Sequence, residues 1–176
     1  MATIYTIGHS TRILEDLIAA LGAHGIQTLV DIRAFPMSRR LPHFNRESLA
    51  QALPAAGIEY AWEKRLGGRR KKIMSVSPNM ALRSDSFRNY ADYMLTPDFR
   101  QAIDDVISRA QHDRVAIMCA ERLWFRCHRM LVSDWLVVHG HTVLHIDGTG
   151  PTKPHRLTAE ARLEGDQLMY SESSLF

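Results

Sequence analysis

Five short apolar runs separated by helix-patterned segments constrain this chain most. They are Ala2–Ile7, Gln27–Ile32, Ile58–Trp62, Val115–Cys119 and Thr142–Ile146. Between them Ile13, Leu14, Leu17, Ile18 and Leu21 recur at helical spacing, with Ser10 or Thr11 as candidate caps and Gly22 or Gly25 as the stop. Further helices are read from Asn45 to about Ala56, over Ser86–Leu95, from Thr96-Pro97-Asp98 to about Ala110, and from Cys127 or His128 to Val138. Parallel strands need such crossovers. The pattern therefore predicts an α/β fold: one domain over residues 1–176, built on a mainly parallel open sheet of about five strands with helices on both faces. In the common order 3-2-1-4-5, the first strand would lie beside the fourth. Beyond Thr149 the composition turns to Gly, Pro and Thr; LTAEARL (Leu157–Leu163) reads as a short helix and residues 164–176 as a frayed polar tail.

Composition narrows the function classes. With 176 residues and 45% hydrophobic content, a continuous core is within reach. No apolar run is long enough to span a bilayer, and no basic segment followed by an apolar stretch opens the chain, so a cytoplasmic protein without a membrane partner is expected. Two cysteines in that setting read as thiols, although their proximity leaves a redox pair open. A net charge of +3 and a pI near 9.1 are compatible with a polyanionic partner but are too modest to require one.

The densest chemistry lies in VAIMCAERLWFRCHRMLVSDWL, where Cys119, Glu121, Arg122, Arg126, Cys127, His128 and Arg129 follow the end of one strand and precede a helix. In a parallel sheet the strand ends share one edge, which also gathers Gly8-His9-Ser10, Asp31 with Arg33, and His145 with Asp147. Cys127, near a helix start and flanked by cations, suits a thiolate better than Cys119, which continues an apolar strand. Glu121 and His9 are candidates for proton transfer, His9 being equally readable as a turn residue. Arg33, Arg126 and Arg129 offer planar donors for a phosphate or carboxylate. Ser10 is a candidate contact beside its capping role, and Asp31 with Arg33 also reads as a local ion pair.

Other arrangements fit less well. Phosphatase and rhodanese loops return an arginine four or five residues after the cysteine, whereas Arg122 and Arg126 follow Cys119 after two and six. Zinc would need His9 or His145 to complete Cys119, Cys127 and His128, so no metal and no cofactor is expected. Neither GxxxxGK[ST] nor GxGxxG occurs. The leading reading is a cysteine-dependent hydrolase or transferase for an anionic substrate, either a small molecule or a nucleic acid. A non-catalytic nucleic-acid module using Arg39, Arg40 and Arg69–Lys72 is the alternative, with a metal-binding protein third.

TIGHS (Thr6–Ser10), LVDIR (Leu29–Arg33) with Pro36 and Ser38, LGGRR (Leu66–Arg70), FRNYADYM (Phe87–Met94), CAERLWFRCHR (Cys119–Arg129), His145-Ile146 and HRLTAEARL (His155–Leu163) together resemble the bacterial and archaeal Domain of Unknown Function 488 family. The resemblance extends over almost the whole chain. It implies a compact α/β cytoplasmic domain without an assigned reaction, and a functional set of His9, Asp31, Arg33, Glu121, Cys127, His128 and Arg129, with His155 as a further member.

Overall fold

The computed structural model describes residues 1–172. Its first half runs β1 (Thr3–Gly8), α1 (Leu14–Ala23), β2 (Thr28–Asp31), α2 (Arg46–Ala55) and β3 (Glu59–Trp62). Next come α3 (Asp85–Tyr93), α4 (Pro97–Ala110), β4 (Val115–Cys119), α5 (Arg129–Val138) and β5 (Thr142–Ile146). The chain ends in β6 (Lys153–Pro154), β7 (Ala161–Glu164) and β8 (Gln167–Tyr170). β1 to β5 pair in parallel, and short β6 adds antiparallel to β5, giving a six-stranded α/β sheet.

The strand order is β3-β2-β4-β1-β5-β6. The expected neighbourhood of the first and fourth strands is present, but the order 3-2-1-4-5 is not: β4 inserts between β2 and β1 and pairs with both. Strand order follows from which helices pack on which face, and local sequence carries little of that. The alternation of β4 shows the two layers. Val115, Ile117 and Cys119 join a core with Tyr90, Phe99, Ile103, Leu131 and Trp135 from α3, α4 and α5. Ala116 and Met118 face Leu17, Leu21, Leu49 and Leu53 from α1 and α2. Among the described residues no helix is long and apolar enough to cross a membrane.

Two local expectations change. Ser10 does not cap α1, whose N-cap is Ile13 without a side-chain bond; Ser10 sits at φ 53° with its amide on the Ala120 carbonyl. The LTAEARL stretch forms no helix: its last three residues, Ala161–Leu163, enter β7, which pairs through a turn at Gly165 (φ 62°) with β8. That hairpin anchors Leu168 and Tyr170 in the core, so order extends well into the expected tail; residues 173–176 lie outside the described residues. Thr96 does cap α4, accepting from the Phe99 amide.

One glycine sets how closely β1 meets the reactive loop. A Cβ on Gly8 would stand 1.9 Å from the Glu121 carbonyl oxygen, a backbone atom with no room to yield. Gly8→Ala is expected to cost about 1–3 kcal/mol, lowering Tm by roughly 3–10 °C. Gly148→Ala, with open space around it, should stay within about 0.5 kcal/mol. Thermal denaturation of the two variants side by side checks this, and equal effects would contradict it.

Candidate active site

The site lies at the carboxyl ends of β2 and β4. After Cys119 the chain makes a loop and a single 3₁₀ turn (Trp124–Arg126), and α5 begins only at Arg129, two residues later than Cys127. Cys127 thus ends the turn and hangs back over β4. Its sulfur lies 2.8 Å from that of Cys119 and accepts the Arg129 amide at 3.3 Å. His128, the next residue along the chain, also favours the charged form of that sulfur. These contacts, led by the Cys119 thiol and followed by His128 and the Arg129 charge, hold the Cys127 thiol well below its ordinary value despite burial. Cys119 moves the opposite way, because it donates to Cys127 and is itself buried.

His128 is fixed on several sides. Its Nε2 faces the Ile32 carbonyl at 2.9 Å, and its ring leans on Tyr90. A Cβ on Gly68 would come within 2.4 Å of its Nδ1, so the LGG turn must be glycine to lie against this ring. A cavity of about 430 Å³ opens over this group; Phe35, Arg69, Phe87, Glu121 and Arg126 share its wall with both cysteines and His128.

The remaining sequence-predicted residues divide. Glu121 and Arg126 are exposed at the cavity wall. Arg33 also lines the cavity, but its guanidinium is committed: Nε and Nη2 grip Asp31 at 2.8 and 2.6 Å, and Nη2 also donates to the Phe44 carbonyl. Asp31, fully buried, also accepts from the Tyr60 hydroxyl at 2.5 Å. His9 stacks on Phe44, and its Nε2 faces Arg33 Nη1 at 3.3 Å while its Nδ1 meets the Ser10 carbonyl at 2.8 Å. An arginine donating to Nε2 requires the proton on Nδ1, so the ring is neutral. Burial, reinforced by Arg33, pushes its pKa down to about 4. His9 and Ser10 are absent from the cavity wall.

Arg129 is buried too. Nη2 donates to the Glu121 and Arg122 carbonyls at 2.8 and 3.0 Å, and Nη1 reaches the Thr6 hydroxyl at 3.4 Å. It therefore shapes the reactive loop and has no donor pointed at solvent. His155 lies in a second cluster behind the loop. A chain of contacts runs from Thr6 Oγ1 to His145 Nδ1 (2.5 Å), from His145 Nε2 to His155 Nδ1 (2.9 Å), and from His155 Nε2 to Asp134 (2.7 Å). The Tyr170 hydroxyl completes Asp134, and Trp124 stacks on His145 at 4.6 Å. Burial pushes His145 down to about 3, with His155 and Arg129 adding to the effect.

The arrangement brings Cys127, His128 and Glu121 together with Arg126, and places His9, Asp31, Arg33, Arg129 and His155 as buried supports. Sequence reasoning gave no site role to Tyr90, Thr6 or Asp134, and read Arg69 only as part of the basic loop of a nucleic-acid module. Asp134 carried a usable signal: an acid inside the apolar run of α5 must find partners when it is buried. In the basic loop, Arg70 donates to the Lys64, Arg65 and Gly67 carbonyls and covers Tyr93, while Arg69, Lys71 and Lys72 stay exposed. Cys119, Cys127, His128 and the outer histidines do not converge on a metal-holding group among the described residues.

The depressed histidines make stability pH-dependent. The unfolded chain takes up protons near 6.5, whereas folded His9 resists until about 4 and His145 until about 3. The full stability is present above about pH 6.5 and is lost as pH falls toward those values, on the order of 2 kcal/mol per histidine between about pH 7 and 5. Urea midpoints over this range should fall in the native protein and fall less in His9→Gln. An equal slope in both would show that His9 is not held neutral.

No curated protein and no solved structure matches the chain. A family model described as Domain of unknown function DUF488 matches residues 13–136. That span takes in β2, the LGG turn and the whole Cys119–Arg129 loop, and stops before His145 and His155. The chain belongs to the DUF488 family.

Proposed function

We propose that this protein is a cytoplasmic cysteine-dependent hydrolase or transferase acting on an anionic, phosphorylated small molecule. One observation carries the reading: the Cys127 sulfur, with the Arg129 amide, the Cys119 thiol and His128 all stabilising its charge, lines an open cavity whose wall also holds exposed Arg126 and Arg69. In a reducing compartment that sulfur stays available as a nucleophile. It attacks the electrophilic centre of the substrate, forming a bond to sulfur as the leaving group departs with its electron pair. His128, with Nε2 turned to Ile32, holds Nδ1 for proton exchange with the leaving group. Glu121 then activates a water or an acceptor hydroxyl, which displaces Cys127 and releases the product. Arg126 and Arg69 hold the anionic group. Arg33 and Arg129 keep the walls in place rather than binding substrate, since their donors are already engaged.

A screen of anionic esters and thioesters tests the chemistry. Turnover should vanish in Cys127→Ala and fall about 100-fold or more in His128→Gln; turnover unchanged in Cys127→Ala would sink the proposal. The charge preference can be read without a substrate. Iodoacetate should alkylate Cys127 faster relative to iodoacetamide than it does a free thiol, and Arg69→Gln with Arg126→Gln should lower that ratio about 3- to 10-fold. A ratio indifferent to both arginines removes them from substrate binding.

A further inference from the structure

The nucleophile reading uses Cys119 only as a hydrogen-bond donor, yet its position does more. Cys119 is 2% exposed at the end of β4, and its sulfur lies 2.8 Å from that of Cys127, with no other thiol in the chain. A disulfide needs about 2.05 Å, so a small side-chain movement joins them. The loop between the two residues is already closed: Arg129 pins the Glu121 and Arg122 carbonyls, and the Cys119 sulfur lies 3.4 Å from the Glu121 carbonyl. Both cysteines line the open cavity and Cys127 is the less buried of the two, so a small oxidant has a route to Cys127. Buried Arg129 has no carboxylate partner among the described residues, and its amide meets the Cys127 sulfur, which favours negative charge there.

We propose that Cys127 is an oxidation site for hydroperoxides and that Cys119 is its resolving thiol, so that a reversible Cys119–Cys127 disulfide masks the nucleophile. The Cys127 thiolate attacks the peroxide; the O–O bond breaks, an S–O bond forms, and the departing alkoxide or hydroxide takes up a proton. Cys119 then gives its proton to solvent and attacks the Cys127 sulfur. The S–S bond forms, the S–O bond breaks, and the hydroxide leaves as water once protonated. The two thiols have lost two electrons, and the peroxide has become an alcohol, or water, plus one further water. An external dithiol reverses the change by becoming a disulfide itself. The proposal rests on the reading of Cys127 as a thiolate.

Its test treats reduced protein with stoichiometric hydrogen peroxide, then counts free thiols after unfolding by alkylation and intact mass. The native chain should lose both thiols and the mass of two hydrogens as a monomer, and a dithiol should restore them. In Cys119→Ser, and in Cys119→Ala should the serine variant fold poorly, a sulfenic acid at Cys127 should instead persist for trapping by dimedone and advance to sulfinic acid with excess peroxide. A native chain that accumulates dimedone-reactive Cys127 beside an alkylatable Cys119 overturns the pairing, as does a disulfide between two chains. Both thiols surviving peroxide while Cys127 alkylates rapidly overturns the oxidation site and leaves the thiolate reading standing. Slow alkylation of Cys127 in the reduced protein overturns the thiolate reading itself.

Discussion

The buried guanidinium of Arg129 is the interaction on which the site depends. Taking such a charge out of water costs several kcal/mol unless hydrogen bonds and a counter-charge replace what is lost. Arg129 recovers part of this through two carbonyls of its own loop and the Thr6 hydroxyl, and leaves Nε without a partner among the described residues. No carboxylate forms an ion pair with it there; its charge instead favours the anionic form of Cys127. One side chain thus shapes the loop and adds to the charge stabilisation that Cys119 and His128 give the Cys127 sulfur. The Glu121 carbonyl approaches Gly8 so closely partly because Arg129 holds that carbonyl.

Behind Arg129 the hydrogen bonds continue with a consistent direction. With Asp134 accepting from His155, His155 from His145, His145 from Thr6 and Thr6 from Arg129, every ring needs one proton only, and the two charges stand at the ends. Burial of His145 favours that neutral state. Through Tyr170 and the Thr158 amide, Asp134 also ties the terminal hairpin to α5. The segment after β5 is therefore part of the support of the reactive loop, although it lies beyond the region the family model matches.

Much of the fold was legible because buried strands and amphipathic helices leave periodic marks: five apolar runs became β1 to β5, and Thr96-Pro97 opened a helix as its cap chemistry requires. Strand order was not, since inserting β4 between β1 and β2 depends on how three helices cover one face. LTAEARL misled because Leu, Ala, Glu and Arg favour helix locally, while the Glu164-Gly165-Asp166 turn and the burial of Leu168 and Tyr170 make it a hairpin. At the site, the sequence marked Cys127, His128 and Glu121 as neighbours. It did not show whether Arg33 and Arg129 face substrate or protein, because their partners are backbone carbonyls and an aspartate whose orientations are set by the folded chain.

The central claim is that Cys127 is a thiolate at neutral pH. Thiolate absorbance near 240 nm, titrated in the reduced native protein with Cys127→Ala as the blank, measures this directly. The account requires a step belonging to Cys127 well below the free-thiol value of about 8.5. A Cys127 step at or above that value would contradict it.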